Sequence, residues 1–68
     1  MRFFDCEKVA GEANIPPDKL ENLRHLIRQE FPRDEMMFEL HLLRACMAIK
    51  GGTLTIEEAL RTEQASQR

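Results

Sequence analysis

Apolar residues crowd one stretch of this chain: between Met36 and Ile49 only Glu39, His41 and Arg44 are polar. Met36, Leu40, Leu43 and Met47 recur at spacings of four, three and four, and Phe38, Leu42, Ala45 and Ile49 form a second stripe on nearly the opposite side of a helix. The pattern predicts a helix over 34–50. A helix that is apolar nearly all round is covered by neighbours on more than one side, so this one is either the central helix of the domain or half of an oligomer seam.

The flanking segments have narrower apolar faces. Over 4–14, Asp5 is placed as an N-cap, Glu7 falls in the first turn, and Phe4 and Val9 occupy the staple positions. Cys6, Val9, Ala10 and Ala13 then recur at helical spacing, until Asn14 followed by Ile15-Pro16-Pro17 ends a helix of about nine residues. A second helix starts at Pro17, or one residue later at the capping box Asp18-x-x-Glu21, and ends at Phe31-Pro32. Leu20, Leu23, Leu26, Ile27 and Phe31 share its inward stripe, while Glu21, Arg24, His25, Arg28 and Gln29 lie outside it. After 34–50, Gly51-Gly52 closes the third helix, and Thr55-x-x-Glu58 opens a short fourth one with Ile56, Ala59 and Leu60 inward.

No segment alternates apolar and polar residues over strand length, which makes the expected fold all-α: a compact bundle of three main helices plus a short C-terminal fourth helix, with the third at its centre. The expected division is one helical domain over 1–61 and a frayed polar tail over 62–68, where no apolar residue exceeds alanine. At 68 residues the chain buries only about 60% of the surface its unfolded form exposes, so its stability is small.

Charge and cysteine content narrow the functional classes. Ten basic and twelve acidic residues give a net charge of -2, with six basic and seven acidic in 1–34 and four and five in 35–68. Neither a basic nor an acidic tail stands out. The longest apolar run, Ala45 to Ile49, is five residues, against about twenty for a membrane span. Asp5 interrupts the N-terminal segment before any signal-peptide core, which points to the cytoplasm, where Cys6 and Cys46 are expected as reduced, buried core residues.

One stretch has a counterpart in a known family. Val9-Ala10, then Ala13-Asn14-Ile15, then Leu20 and Leu23 reproduce the spacing of the helix-turn-helix of bacterial repressors, which residues 6–27 resemble over about a third of the chain. The family's turn residue is usually glycine, and Asn14 suits the same left-handed conformation. The resemblance implies that the second helix would be the recognition helix, with Lys19, Arg24 and Arg28 as DNA-contacting residues. Its first turns depart from that role. They carry Asp18 and Glu21, and over 16–30 the three basic side chains are matched by Asp18, Glu21 and Glu30, so the electrostatic footprint for DNA is missing.

Other chemistries find less support. His25, His41, Cys6 and Cys46 are the soft metal ligands, but His41 and Cys46 point about 140° apart on one helix and the other two have no partner at ligand spacing. No metal or other cofactor is expected. There is no nucleophile motif and no phosphate loop, and Glu57-Glu58 falls in a first helical turn, where the helix dipole accounts for it. The expected function is therefore a non-enzymatic helical interaction or regulatory module, acting on itself as a homodimer or on a protein partner. Its candidate interface is Met36, Leu40, Leu43 and Met47, with the stripe through Phe38 and Ala45 reading as intramolecular packing. The alternative is a helix-turn-helix DNA-binding protein; no membrane and no small-molecule substrate is expected.

Overall fold

Capping groups set the length of each element in the computed structural model, which describes residues 4–65. The elements are α1 (Cys6–Glu12), α2 (Pro17–Glu30), α3 (Glu35–Lys50) and α4 (Ile56–Ala65), with no strand among the described residues. At the start of α1 the Asp5 carboxylate accepts the Lys8 amide at 3.2 Å. At its end the Ile15 amide donates to the Ala10 carbonyl and the Asn14 amide to the Gly11 carbonyl, each at 3.1 Å. Asn14 holds φ 59°, the left-handed conformation that this double closure requires. The closure takes Ala13 out of the helix as its C-cap, so α1 has seven residues and not the expected nine or so.

Helix α2 begins at Pro17 without any side-chain cap, because a proline with fixed φ and no amide hydrogen suits the first helical position. It stops before Pro32, with the Phe31 amide donating to the Ile27 carbonyl at 3.2 Å. Helix α3 is capped by Asp34, which accepts the Met37 amide at 3.1 Å. Its C-terminus repeats the closure of α1: Thr53 donates to Ala48 at 3.0 Å and Gly52 to Ile49 at 3.1 Å, with Gly52 at φ 81°. The capping box of α4 is formed in both directions, Glu58 amide to Thr55 Oγ1 at 3.1 Å and Thr55 amide to Glu58 Oε1 at 3.0 Å.

Helix α3 packs against α1 and α2, and α2 packs in turn against α4. The core they enclose takes Cys6 and Ala10 from α1, Ile15 from the turn, Leu23 and Ile27 from α2, Phe38, Leu42 and Cys46 from α3, and Ala59 from α4. Val9, Ala13, Leu20, Phe31, Leu43, Ala45, Ile49, Ile56 and Leu60 lie half-buried against it. The radius of gyration, 10.9 Å, matches the roughly 11 Å of a well-packed chain of this length. No helix among the described residues is long and apolar enough to cross a membrane.

The fourth helix corrects one expectation. It remains helical to Ala65, past the fraying point expected at Thr62, because Glu63 is buried and bonds to His41 of α3. A polar contact thus anchors the last turn where no large apolar residue can. Residues 66–68 of the expected tail lie outside the described residues. Three ion pairs join helix ends: Lys19 with Glu57, Arg28 with Glu35 at 2.9 Å, and Lys50 with Glu12 at 2.7 Å. All are exposed, and each contributes little on its own.

Two expected outcomes test this packing. Thr55→Ala should remove one arm of the capping box and lower stability by about 1 kcal/mol, read from denaturant unfolding, with most of the helical signal retained. Burial and then the charge of Cys6 push the Cys46 thiol up to about 11. A thiol reagent at neutral pH should therefore label Cys46 slowly in the native protein and rapidly in denaturant, and equal rates would show the α3 core to be open.

Candidate functional site

The two apolar stripes of α3 meet different fates. Phe38 and Leu42 are buried, and Ala45 and Ile49 pack half-buried against the core, so this stripe is intramolecular. The other stripe divides. Leu43 leans on the core and Leu40 is half-buried, while Met36 is 50% exposed and Met47 56% exposed. With Met37, these are the exposed large apolar side chains among the described residues, and all three belong to α3. They stay exposed because α4 docks on α2 and leaves this side of α3 uncovered.

Met37 extends the patch that the sequence pattern outlined. Its position, one residue after Met36, put it on neither stripe, so periodicity alone passed over it. At about 100° per residue, Met36, Leu40 and Met47 lie within about 40° of one another on the helix, with Arg44 and Met37 on the same flank. The result is a narrow ridge of flexible thioether side chains running about three turns.

Of the basic residues proposed for DNA, Arg24 and Arg28 line one cleft and Lys19 stands apart from them. Lys19 is bonded to Glu57 of α4, whereas Arg28 bonds Glu35 on the α3 side and lies 3.7 Å above the ring of Phe38. The two are half a turn apart on α2, about 180°. Arg24 and Arg28 line a cleft of about 130 Å³ together with Glu7, Glu35 and Glu39. The turn itself has the left-handed Asn14 that the helix-turn-helix resemblance implies, but α2 is held between α3 and α4 and two of its cations are engaged with carboxylates. The second cleft, about 240 Å³ between α2 and α4, is like the first smaller than the ~300 Å³ at which small-molecule pockets begin.

A third feature escaped the sequence pattern. Glu30 ends α2, His41 lies in α3 and Glu63 in the last turn of α4, and one polar atom of each lies within 4.8 Å of the other two. His41 Nε2 is 2.8 Å from Glu63 Oε1, and the imidazole packs against Phe31 with ring centroids 5.6 Å apart. Glu30 Oε2 is buried with no donor to accept from. Two facing carboxylates cannot both be ionised cheaply: the hydrogen bond to Glu63, then burial, then the charge of Glu63 push the Glu30 carboxyl up to about 7, against the opposing effect of His41. The signal was present in the register. Leu23, Ile27 and Glu30 fall on one stripe of α2, and Ile56, Ala59, Leu60 and Glu63 on one stripe of α4, so each glutamate continues a buried apolar row. By contrast, His25 is exposed and bonds only Gln29 of its own helix, and Cys6 and Cys46 are free thiols in the core.

Comparison with protein families, with curated proteins and with solved structures finds no match to this chain.

The raised Glu30 carboxyl sets a pH dependence. In the fold Glu30 holds its proton up to about 7, while in the unfolded chain it releases it in the ordinary carboxylate range. The folded state therefore binds more protons in between, and the stability this provides is present below the ordinary range and lost as pH rises through about 7. In metal-free buffer, the urea midpoint should fall between pH 5 and 8, and Glu30→Gln, which keeps a hydrogen-bonding group without the charge, should flatten that fall. An unchanged slope in Glu30→Gln would assign it to other groups.

Proposed function

We propose that this protein is a small, non-enzymatic, cytoplasmic interaction module that associates with a second copy of itself through α3. On this reading the bundle of α2, α3 and α4, with the short α1 against it, is a support that presents one helix. Met36, Leu40, Leu43 and Met47 are the contact residues, with Met37 at their edge. The observation that carries the reading is that the exposed large apolar side chains among the described residues all belong to α3, Met36 and Met47 on one ridge and Met37 on its flank. Scattered single apolar residues on a surface need no explanation, but a continuous row does.

The spacing favours a helical partner of the same kind. Positions 36, 40, 43 and 47 alternate by four and three, which is the seam of a two-stranded coiled coil, and the same seam on a second copy complements it. Methionine adapts its shape at such contacts, so a short row can still pack without gaps. At about 1.5 Å per residue the row spans only about 17 Å, which suits a reversible contact more than a permanent one. The pairing of Lys19 and Arg28 with carboxylates, and the glutamates that share a cleft with Arg24, make this reading stronger than DNA binding.

Sedimentation equilibrium tests the proposal. The chain should pass reversibly from monomer to dimer with rising concentration. Met36→Glu and Met47→Glu should each hold it as a folded monomer, since a carboxylate is tolerated at these exposed positions and not inside a seam. Leu42→Ala, on the opposite stripe, should instead lower stability by about 2–5 kcal/mol. A parent chain that sediments as a monomer up to about 1 mM, where the association free energy would be only about 4 kcal/mol, overturns the reading.

A further inference from the structure

The junction of α2, α3 and α4 holds two carboxylates and an imidazole whose polar atoms face one another, and one of the carboxylate oxygens is buried with nothing to bond. We propose that Glu30, His41 and Glu63 bind one divalent transition-metal ion of the zinc type, with water completing its coordination. The site is separate from the methionine ridge and does not depend on it.

Three observations carry the inference. First, Glu30 Oε2 is buried beside a second carboxylate and accepts from no donor, so a cation between the two carboxyl groups would satisfy both. Glu63 is only 7% exposed and Glu30 is half-buried, so water screens the pair weakly. Second, the donor set has the right chemistry. One imidazole nitrogen with two carboxylates suits a zinc-type ion, whereas calcium and magnesium take oxygen donors, and two carboxylates balance a double positive charge. Third, the reach is right. Zinc holds such ligands at about 2.0–2.2 Å, so they stand about 3.4 Å apart. His41 Nε2 and Glu63 Oε1 are already at 2.8 Å, and the 4.8 Å limit of the set closes by a small turn of a side chain. The imidazole side chain is 40% exposed, which gives the ion and its water a way in.

An ion held there would bond three helices at one point. Because Glu30 and His41 stand 11 positions apart along the chain and His41 and Glu63 stand 22 apart, only the fold brings them together, and binding would favour the folded state.

Calorimetric titration of the full chain, stripped of metal, with Zn²⁺ at pH about 7.5 tests this, with Co²⁺ absorbance as a second readout. One ion per chain should bind and raise the thermal midpoint. Glu30→Gln and His41→Asn should each weaken binding by at least about 100-fold, above the range seen when only a supporting hydrogen bond is lost. His25→Asn should bind like the parent. Circular dichroism checks each fold, and Glu30→Gln decides the matter if His41→Asn fails to fold, since it removes charge repulsion without removing a helix contact. No saturable binding up to about 1 mM would overturn the proposal and leave a shared proton as the cation of the cluster. Tight binding unaffected by either substitution would overturn it too, placing the ion elsewhere.

Discussion

The seam between α2 and α3 is the constraint on which everything else in this protein rests. Leu23 and Ile27 from α2 and Cys46 from α3 are the largest fully buried side chains, with Phe38 and Leu42 nearly so. Burying each large one contributes about 1.5–3 kcal/mol against the entropy of ordering the chain. Helix α1 adds the small residues Cys6 and Ala10, which allow close approach to α3, and α4 adds Ala59 from the other side. Once α2 and α3 are paired, each of the outer helices has one remaining apolar surface to cover.

Much of this was legible in the residues because local rules and global packing agree. Asp5, Asp34 and Thr55 cap helices where their side chains predict, and Asn14 and Gly52 occupy left-handed positions where a helix must end. Such devices act over a few residues, so a sequence reveals them directly. That α3 carries two apolar stripes was legible too, but which of them the core takes was not. What periodicity does not contain is the identity of the neighbour. The pattern allowed α4 to close over the second face of α3, and only the tertiary structure shows that it docks on α2.

The carboxylate and imidazole cluster was hidden for the same reason. Glu30, His41 and Glu63 belong to three helices, so no spacing rule joins them. A glutamate at the place where an apolar stripe predicts leucine is a residue with a partner. Glu63 ends the row of Ile56, Ala59 and Leu60, and its burial keeps α4 helical past Thr62.

The position of α4 then explains both surface features at once. Its apolar side is narrow, consisting of Ile56, Ala59 and Leu60, and the exposed Lys19 to Glu57 pair joins its first turn to α2. Held there, its last turn carries Glu63 to the flank of α3, where His41 is within hydrogen-bond reach. Beyond His41 on that flank lie Met37 and then the ridge of Met36, Leu40 and Met47, which α4 never reaches. Had α4 crossed α3 instead, it would have covered the ridge with its own apolar residues and drawn Glu63 away from Glu30. The exposed methionines and the paired carboxylates are therefore two consequences of one packing choice, made by a helix with too few apolar residues to cover more than one neighbour.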